Sequence, residues 1–596
     1  MNDWRYLPTG SEIPTAHYCD QPYVVQTDDG AWLCLLTTGA GIEGEPGQFV
    51  AVSRSTDQGK TWTPLLPLED PAGVEASYGV LLKTPAGRVY AFYNHNTDNI
   101  REVKRVDKGV FKRVDSLGYY VFRYSDDHGQ TWSKDRYVVP MREFEIDREN
   151  VYAGDIRFHW NVGRPFTHNG AAYLIMHKVG NFGPGFFVRT EGAFMRSANL
   201  LTETDAAKIT FDTLPEGDVG LRAPEGGGPI AEEQSVVVLS DGSFFCVYRT
   251  IDGSPAASYS RDEGRTWSPP AYLTDEPTGE PGRRRLRNPR AANFIWRVGD
   301  NRYLYWFHHH GGKDYEDRNP AWVAAAREVD SPDGKMLTFS QPEVLLYDDD
   351  PWVRMSYPDL IVQPGGRLFI TETQKDIARV HEIDAGFLNT LWTWADRNTP
   401  AADGLLADWI DVDGKRQANY EARAIADDIA GLTFRHRAGH RSAPTFGGAT
   451  FDLWFELESM KVGQTLFSNV DAAGRGVALT VADRGALQIR FGDEQTQHLW
   501  ASDIDRIATG RLHHAAVIFD AGPAIVRFVI DGVADDGGPT REFGWGRFSP
   551  NLAGLNSANP LRVAGNIRGR VTQCRVYDRP LMTTEVVGNH RAGPDA

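Results

Sequence analysis

Ser55-Thr56-Asp57-Gln58-Gly59-Lys60-Thr61-Trp62, Ser125-Asp126-Asp127-His128-Gly129-Gln130-Thr131-Trp132 and Ser260-Arg261-Asp262-Glu263-Gly264-Arg265-Thr266-Trp267 are three copies of one pattern, S-x-D-x-G-x-T-W. Each residue of it suits a tight turn: the Asp carboxylate caps backbone N–H groups, Gly takes a positive φ, and Trp packs back between neighbouring sheets. Three copies with the same spacing mark an internal repeat. Around them runs a second repeat, an apolar strand, a Gly-containing turn and another apolar strand, starting at Pro22, Tyr78, Gly163, Ser235, Ala292 and Tyr357. A hairpin of this kind cannot bury both faces alone, so the six predict radially stacked blades, with room for a seventh.

Composition agrees. Trp, Tyr and Phe make up 11% of the residues, beside 60 Gly and 34 Pro, which favours short strands and tight turns over long helices. A chain of 596 residues exceeds one hydrophobic core. The expected fold class is all-β, a six-bladed propeller followed by a second β domain. A formal charge of -17 opposes a phosphate polyanion, so no nucleic-acid partner is expected. No apolar run is long enough for a membrane helix, and no membrane partner is expected. The first thirty residues show neither a basic nor an apolar leader segment. The expected location is the cytoplasm if Met1 is native, and the periplasm or exterior if a leader has been removed. Cys19, Cys34, Cys246 and Cys574 lack metal or disulfide spacing and read as packed thiols, with no metal site.

After His381-Glu382-Ile383-Asp384 the hairpin pattern stops, and AGFLNTLWTWADRNTPAADG reads as a short helix and a linker. Beyond it FDLWFELES, GVALTVAD, ALQIRFGD and AIVRFVIDG alternate with period two, which predicts a sandwich. These readings place a propeller over 1–395, a linker over 396–415 and a sandwich over 416–596. Adjacent His513 and His514 lie on one strand and are expected to face opposite sides.

The repeated turn is the Asp-box of the sialidase superfamily, which residues 1–395 resemble. Leu512-His513-His514-Ala515-Ala516-Val517, Val529-Ile530-Asp531-Gly532 and the ending Arg575-Val576-Tyr577-Asp578-Arg579-Pro580-Leu581 resemble the laminin-G-like or concanavalin-like jelly roll appended to many glycan-active enzymes. The resemblance implies a carbohydrate substrate and no cofactor. It also implies roles for single residues. Tyr357, in Ser356-Tyr357-Pro358-Asp359-Leu360, stands where the family carries a nucleophilic Tyr; Glu232, opening the fourth hairpin, stands where a Glu polarises that phenol; and Arg249, closing the hairpin, and Arg318 match arginines that hold an acidic group. Arg287 and Arg290 compete with Arg318, whereas Arg283, Arg284 and Arg285 read as a solvated charge run.

One departure is informative. The family opens with an Arg-Ile-Pro motif, and this chain has His17-Tyr18-Cys19-Asp20-Gln21-Pro22, with Asp20 in the place of Arg. A negative charge facing a substrate carboxylate repels it in a partly desolvated pocket, so ordinary sialic acid is not the expected substrate. For the acid/base, Glu43, Glu45 and Asp20 remain open. His95, His159 and Arg164, near hairpin ends of the second and third units, complete the expected substrate contacts.

The expected function is hydrolysis of a terminal acidic or polyhydroxylated sugar from an oligo- or polysaccharide, in which a neighbouring carboxylate activates the phenol. The alternative is elimination at a uronic acid by His, Tyr and Arg, and a non-catalytic glycan-binding propeller is a third reading. The oligomeric state is left open by the sequence.

Overall fold

Alternating apolar strands and Asx-type turns build six small antiparallel sheets in the computed structural model, which describes residues 3–184, 186–276, 284–410, 424–425, 447–552 and 554–594. Arg283, linker positions 411–415 and the boundary at 416 lie outside the described residues. From the innermost strand outward, blade one is Tyr18–Gln26, Trp32–Gly39, Gln48–Ser55 and Leu66–Pro67. The innermost strands of blades two to five are Ala76–Lys83, Phe158–His168, Glu232–Val238 and Phe294–Gly299. Blade six combines Leu360–Val362, Leu368–Thr373 and Ala378–Glu382 with Ser11–Ile13, whose register pairs Ser11 with Val380. The chain's first strand thereby becomes the outer edge of the sixth blade, an edge only three residues long.

The three turns are near-identical. In the first, Thr61 N donates to Asp57 Oδ1 at 2.9 Å and Thr61 Oγ1 to Asp57 Oδ2 at 2.6 Å. The corresponding distances are 2.8 and 2.6 Å at Asp127, and 2.9 and 2.6 Å at Asp262. Gly59, Gly129 and Gly264 have φ of 80°, 85° and 85°, where a Cβ is disfavoured. Trp267 stacks on Phe194 of blade three at 5.1 Å, so the turn staples neighbouring sheets.

The inner strands carry a feature that aims the site. Pairing with the next strand slips between Asp20 and Tyr23, Ser77 and Val80, Trp160 and Gly163, and Glu232 and Ser235. Each slip inserts a residue and twists the strand start. Gln21, Tyr78, Glu233 and Tyr357 take positive φ of 53°, 57°, 57° and 45° at equivalent places near the starts of blades one, two, four and six. Non-glycine residues in this region are uncommon and cluster at functional sites.

Asp384 caps the helix Ala385–Leu391 by accepting from Phe387 N at 2.9 Å. Leu405–Ile410, expected within the linker, instead pairs with Gly569–Tyr577 as an edge strand of the sandwich, because its alternation places Trp409 in that domain's core. Along Gly448–Leu457, Phe451, Leu453, Phe455 and Leu457 all enter the core between the two sheets. His513 pairs with Asp531 at 2.8 Å and His514 with Asp452 at 3.0 Å, so the two imidazoles have separate partners. All four cysteines are buried and unpaired. The sandwich packs against blade five: Trp545 Nε1 donates to His309 O at 2.8 Å, and Glu343 accepts from Thr583 N and Thr584 N at 2.9 and 2.7 Å. Arg5 also joins the two units, bonded to Asp3 at 2.8 Å and Asp520 at 2.7 Å.

Candidate active site

The strand starts of blades four and six converge on one hydrogen bond. Tyr357 Oη donates to Glu233 Oε1 at 2.7 Å, although the two residues are 124 positions apart. Both are shielded, with 3% and 0% exposure. Burial, and then the Glu233 charge, pushes the phenol well above its ordinary range. Burial also raises Glu233, against the lowering effect of Arg249, whose Nη1 lies 3.0 Å from Glu233 Oε2. Glu233 Oε1 stands within hydrogen-bond reach of the phenol proton, the geometry a general base requires.

The expected partner of Tyr357 was Glu232, and the structure corrects it by one residue. Glu232 accepts from Arg249 Nε at 2.6 Å and Arg290 Nη2 at 2.9 Å. Burial would raise its pKa, but Arg249 and Arg290 outweigh burial and hold it at about 2. Glu232 therefore clamps the arginines, while the bulge turns Glu233 to the phenol. Aligning the bulged starts Gln21-Pro22, Tyr78-Gly79, Glu233-Gln234 and Tyr357-Pro358 was the signal available for this choice. Glu233 occupies the place that Tyr357 occupies in its own blade.

Tyr357 opens into a cavity of about 360 Å³ that Arg249 and Arg318 also line, together with Glu43, Arg113, Trp160, Tyr315 and Lys375. Arg318 Nη1 donates to Ser356 Oγ at 2.8 Å, and its Nε has no hydrogen-bond partner. Among the described residues no carboxylate lies within ion-pair distance of Arg318, which is 6% exposed. Burial lowers its pKa. A buried guanidinium without a direct ion pair, on which Glu233 and Glu43 act only through space, is costly and can take up an anion. Arg290, a competitor for this role, is held by Glu232, and the Nη2 of Arg287, the other, bonds to Gly538 O of the sandwich at 2.5 Å.

The acidic side of the cavity is a network that the sequence did not reveal. Asp20 is fully buried and bonds to Tyr18 Oη at 2.9 Å and Lys375 Nζ at 2.7 Å. Lys375 also reaches Glu43 at 3.1 Å and lies 4.3 Å from the Tyr357 ring centroid. The repulsion expected of Asp20 is thus answered by an ammonium that lines the cavity in its stead. Of the three acid/base candidates only Glu43 lines the cavity; Glu45 is exposed and accepts from Ile42 N at 3.2 Å. Burial would raise Glu43, but Lys375 and Arg113, the latter 2.7 Å away, hold it well below the usual carboxylate range. Burial raises Asp20. Lys375 and Arg113 come from a turn and an inter-strand excursion without a recurring pattern, so only folding identifies them.

The other expected contacts stand apart from the cavity lining. His95 Nδ1 pairs with Thr97 Oγ1 at 2.8 Å, and burial lowers its pKa. His159 lies edge-on to Tyr120 at 6.1 Å, and burial holds its pKa at about 3. Arg164 braces blade six, with Nη1 3.0 Å from Asp359 Oδ1 and 2.7 Å from Leu360 O, two and three residues past Tyr357.

Comparison with known proteins places both halves of the fold. Residues 436–587 match the Concanavalin A-like lectin/glucanases superfamily, and residues 123–134, which contain the second repeated turn, match the BNR/Asp-box repeat. The chain joins six small β-sheets, with Asp-box turns among them, to a sandwich that matches the concanavalin A-like superfamily. Among solved structures it is similar to a protein of unknown function from Dyadobacter fermentans DSM 18053, with a TM-score of 0.43 and 14% identity over 63% of this chain and 97% of that one. The intramolecular trans-sialidase of Ruminococcus gnavus gives 0.42 and 14% over 65% and 97%. Trypanosoma rangeli sialidase gives 0.42 and 12% over 97% and 94%. No curated protein matches the chain.

Proposed function

We propose that the chain is a glycoside hydrolase that removes a terminal acidic sugar from a glycan, with Tyr357 as nucleophile. The observation that carries the reading is the buried Tyr357–Glu233 hydrogen bond of 2.7 Å, whose Tyr357 lines a cavity together with Arg318, a guanidinium without a direct ion pair among the described residues. In the first step the phenol proton passes to Glu233, a bond forms from Tyr357 Oη to the anomeric carbon, and the glycosidic C–O bond breaks. Arg318 and Arg249 hold the acidic group. A phenol suits this task because it approaches an acidic anomeric centre without the repulsion a carboxylate nucleophile would meet.

The leaving oxygen needs a proton, and Glu43 is the lining carboxylate that supplies it. In the free protein Lys375 and Arg113 keep Glu43 ionised. An acidic sugar entering the cavity shares those cations and adds a like charge, which raises Glu43 toward a range where it donates. Water then releases the sugar from Tyr357, with Glu43 acting as base. Because Lys375 neutralises Asp20, the geometry supports acidic sugars as a class, and sialic acid is not set apart from uronic acids by charge alone.

Among the described residues no histidine lines the cavity, so the uronate-eliminating alternative would rest there on a Tyr base. Mass spectrometry of digests of acidic plant, bacterial and animal glycans separates the readings. Release of saturated terminal sugars, lost by about a thousandfold or more in Tyr357→Phe at near-wild-type Tm, is the expected result. Unsaturated uronide products would remove hydrolysis in favour of elimination, and binding without turnover would leave a lectin.

A further inference from the structure

The loop that delivers Tyr357 also presents Trp352, which is 73% exposed, more than any other large apolar residue among the described residues. An indole this open is ordinary on a mobile loop, but this loop is pinned. Trp352 N donates to Asp350 Oδ1 at 3.0 Å, and Val353 N to Asp350 O at 3.1 Å. Asn319 Nδ2 donates to Asp348 O at 2.9 Å and Asp350 O at 2.8 Å, tying the loop to the neighbour of Arg318. On the other side Arg354 grips both oxygens of Glu316, at 2.6 and 2.8 Å.

The residues flanking Trp352 line two separate depressions. Arg354 lines the catalytic cavity. Pro351 lines a cleft of about 130 Å³ between propeller and sandwich, whose other walls include Arg547 and Phe548. Pro351 directly precedes Trp352 and Arg354 follows two positions on, a span of at most about 7 Å, so the Trp352 backbone lies beside both linings. Arg547 also bonds to Asn319 O, so the sandwich is fastened to the same support that holds the loop. A rigid, exposed aromatic face is the surface on which the apolar face of a sugar ring stacks, and its fixed loop leaves little ordering entropy to lose on binding.

We infer that Trp352 is the platform of a subsite for the sugar on the leaving-group side of the scissile bond, and that the glycan continues from it along the propeller–sandwich cleft. The inference rests on the hydrolase reading and narrows its substrate from any acidic glycoside to an acidic oligosaccharide or polysaccharide. It assigns the sandwich one wall of the substrate path.

The test is binding by Tyr357→Phe and by Tyr357→Phe/Trp352→Ala, each titrated by calorimetry with oligogalacturonates, glucuronate-containing oligosaccharides and sialylated oligosaccharides of graded length, and with the corresponding free acids. Trp352→Ala should weaken oligosaccharides by about tenfold, leave the free acids within twofold, and Trp352→Tyr should restore most of the affinity. Equal losses for both ligand classes, or no loss for oligosaccharides, would overturn the subsite. Turnover of the same oligosaccharides by the wild-type protein separates the two readings. Turnover with binding indifferent to Trp352 sinks the subsite alone; Trp352-dependent binding without turnover sinks the hydrolase and with it the leaving-group assignment, leaving Trp352 a glycan-binding residue; and absence of all binding overturns both.

Discussion

Glu232 and Glu233 are adjacent, both fully buried, and assigned to different work by their partners. Glu233 faces a neutral phenol, whereas Glu232 sits between two guanidinium groups. Glu233→Gln keeps a hydrogen-bond acceptor but loses the base, so turnover should fall by about 10²–10⁴-fold, with a smaller stability loss than at Glu232 because Glu233 pairs with one guanidinium, Arg249, and Glu232 with two. Glu232→Gln removes the charge that compensates Arg249 and Arg290, and breaking a buried pair costs about 3–5 kcal/mol, so its main effect should be on urea denaturation. Reversal of these two outcomes would return the base to Glu232. The Glu232 interaction also has a pH sign. Its folded pKa of about 2 lies below the ordinary 4.5, so its stabilisation is complete above 4.5 and is lost as pH falls toward 2.

At the scale of the element, the Asp-box turn and the strand-start bulge do different things. The turn is closed by its own atoms, with three bonds whose lengths repeat within 0.1 Å at Asp57, Asp127 and Asp262. Its carboxylate does not reach the cavity lining, so it stabilises a blade without taking part in chemistry. Asp262→Ala should lower the unfolding free energy by about 1 kcal/mol, read from the urea midpoint, and leave turnover per folded molecule unchanged. A loss of turnover with unchanged stability would mean that the turn shapes the site. The bulge spends backbone strain at Glu233 and Tyr357 to reverse the parity of the strand start. A regular strand would direct those two side chains elsewhere.

For the whole molecule, burial of neutral imidazoles sets the response to acid. Burial is the leading cause that holds His159, His177 and His309 at about 3, against an ordinary 6.5. Below 6.5 the unfolded chain takes up protons that these folded sites refuse, so stability falls as pH drops from 6.5 toward 3. The Tm should therefore decline well before the carboxylates titrate, and His159→Phe should flatten the decline between pH 6 and pH 4. An unchanged slope would place the acid sensitivity elsewhere. His309 Nε2 also donates to Asp535 O, 3.1 Å away in the sandwich, so the two domains share this sensitivity.

What the amino-acid sequence determined by itself was local. The three repeated turns, the hairpins, the period-two strands of the sandwich and the helix capped by Asp384 follow from contacts within a few residues, whose geometry is dictated by φ preference, side-chain capping and alternation. Tyr357 and Arg318 were recognisable because their short contexts resemble a family pattern. Tertiary structure alone decided the rest. Glu233 rather than Glu232 meets the phenol because a bulge, not a periodicity, orients it. Lys375 answers Asp20 across 355 positions of sequence. Neither fact is encoded in a window of neighbours: each depends on blades one, four and six being brought around one cavity, where low exposure and long-range charge, absent from the extended chain, select which side chains face one another.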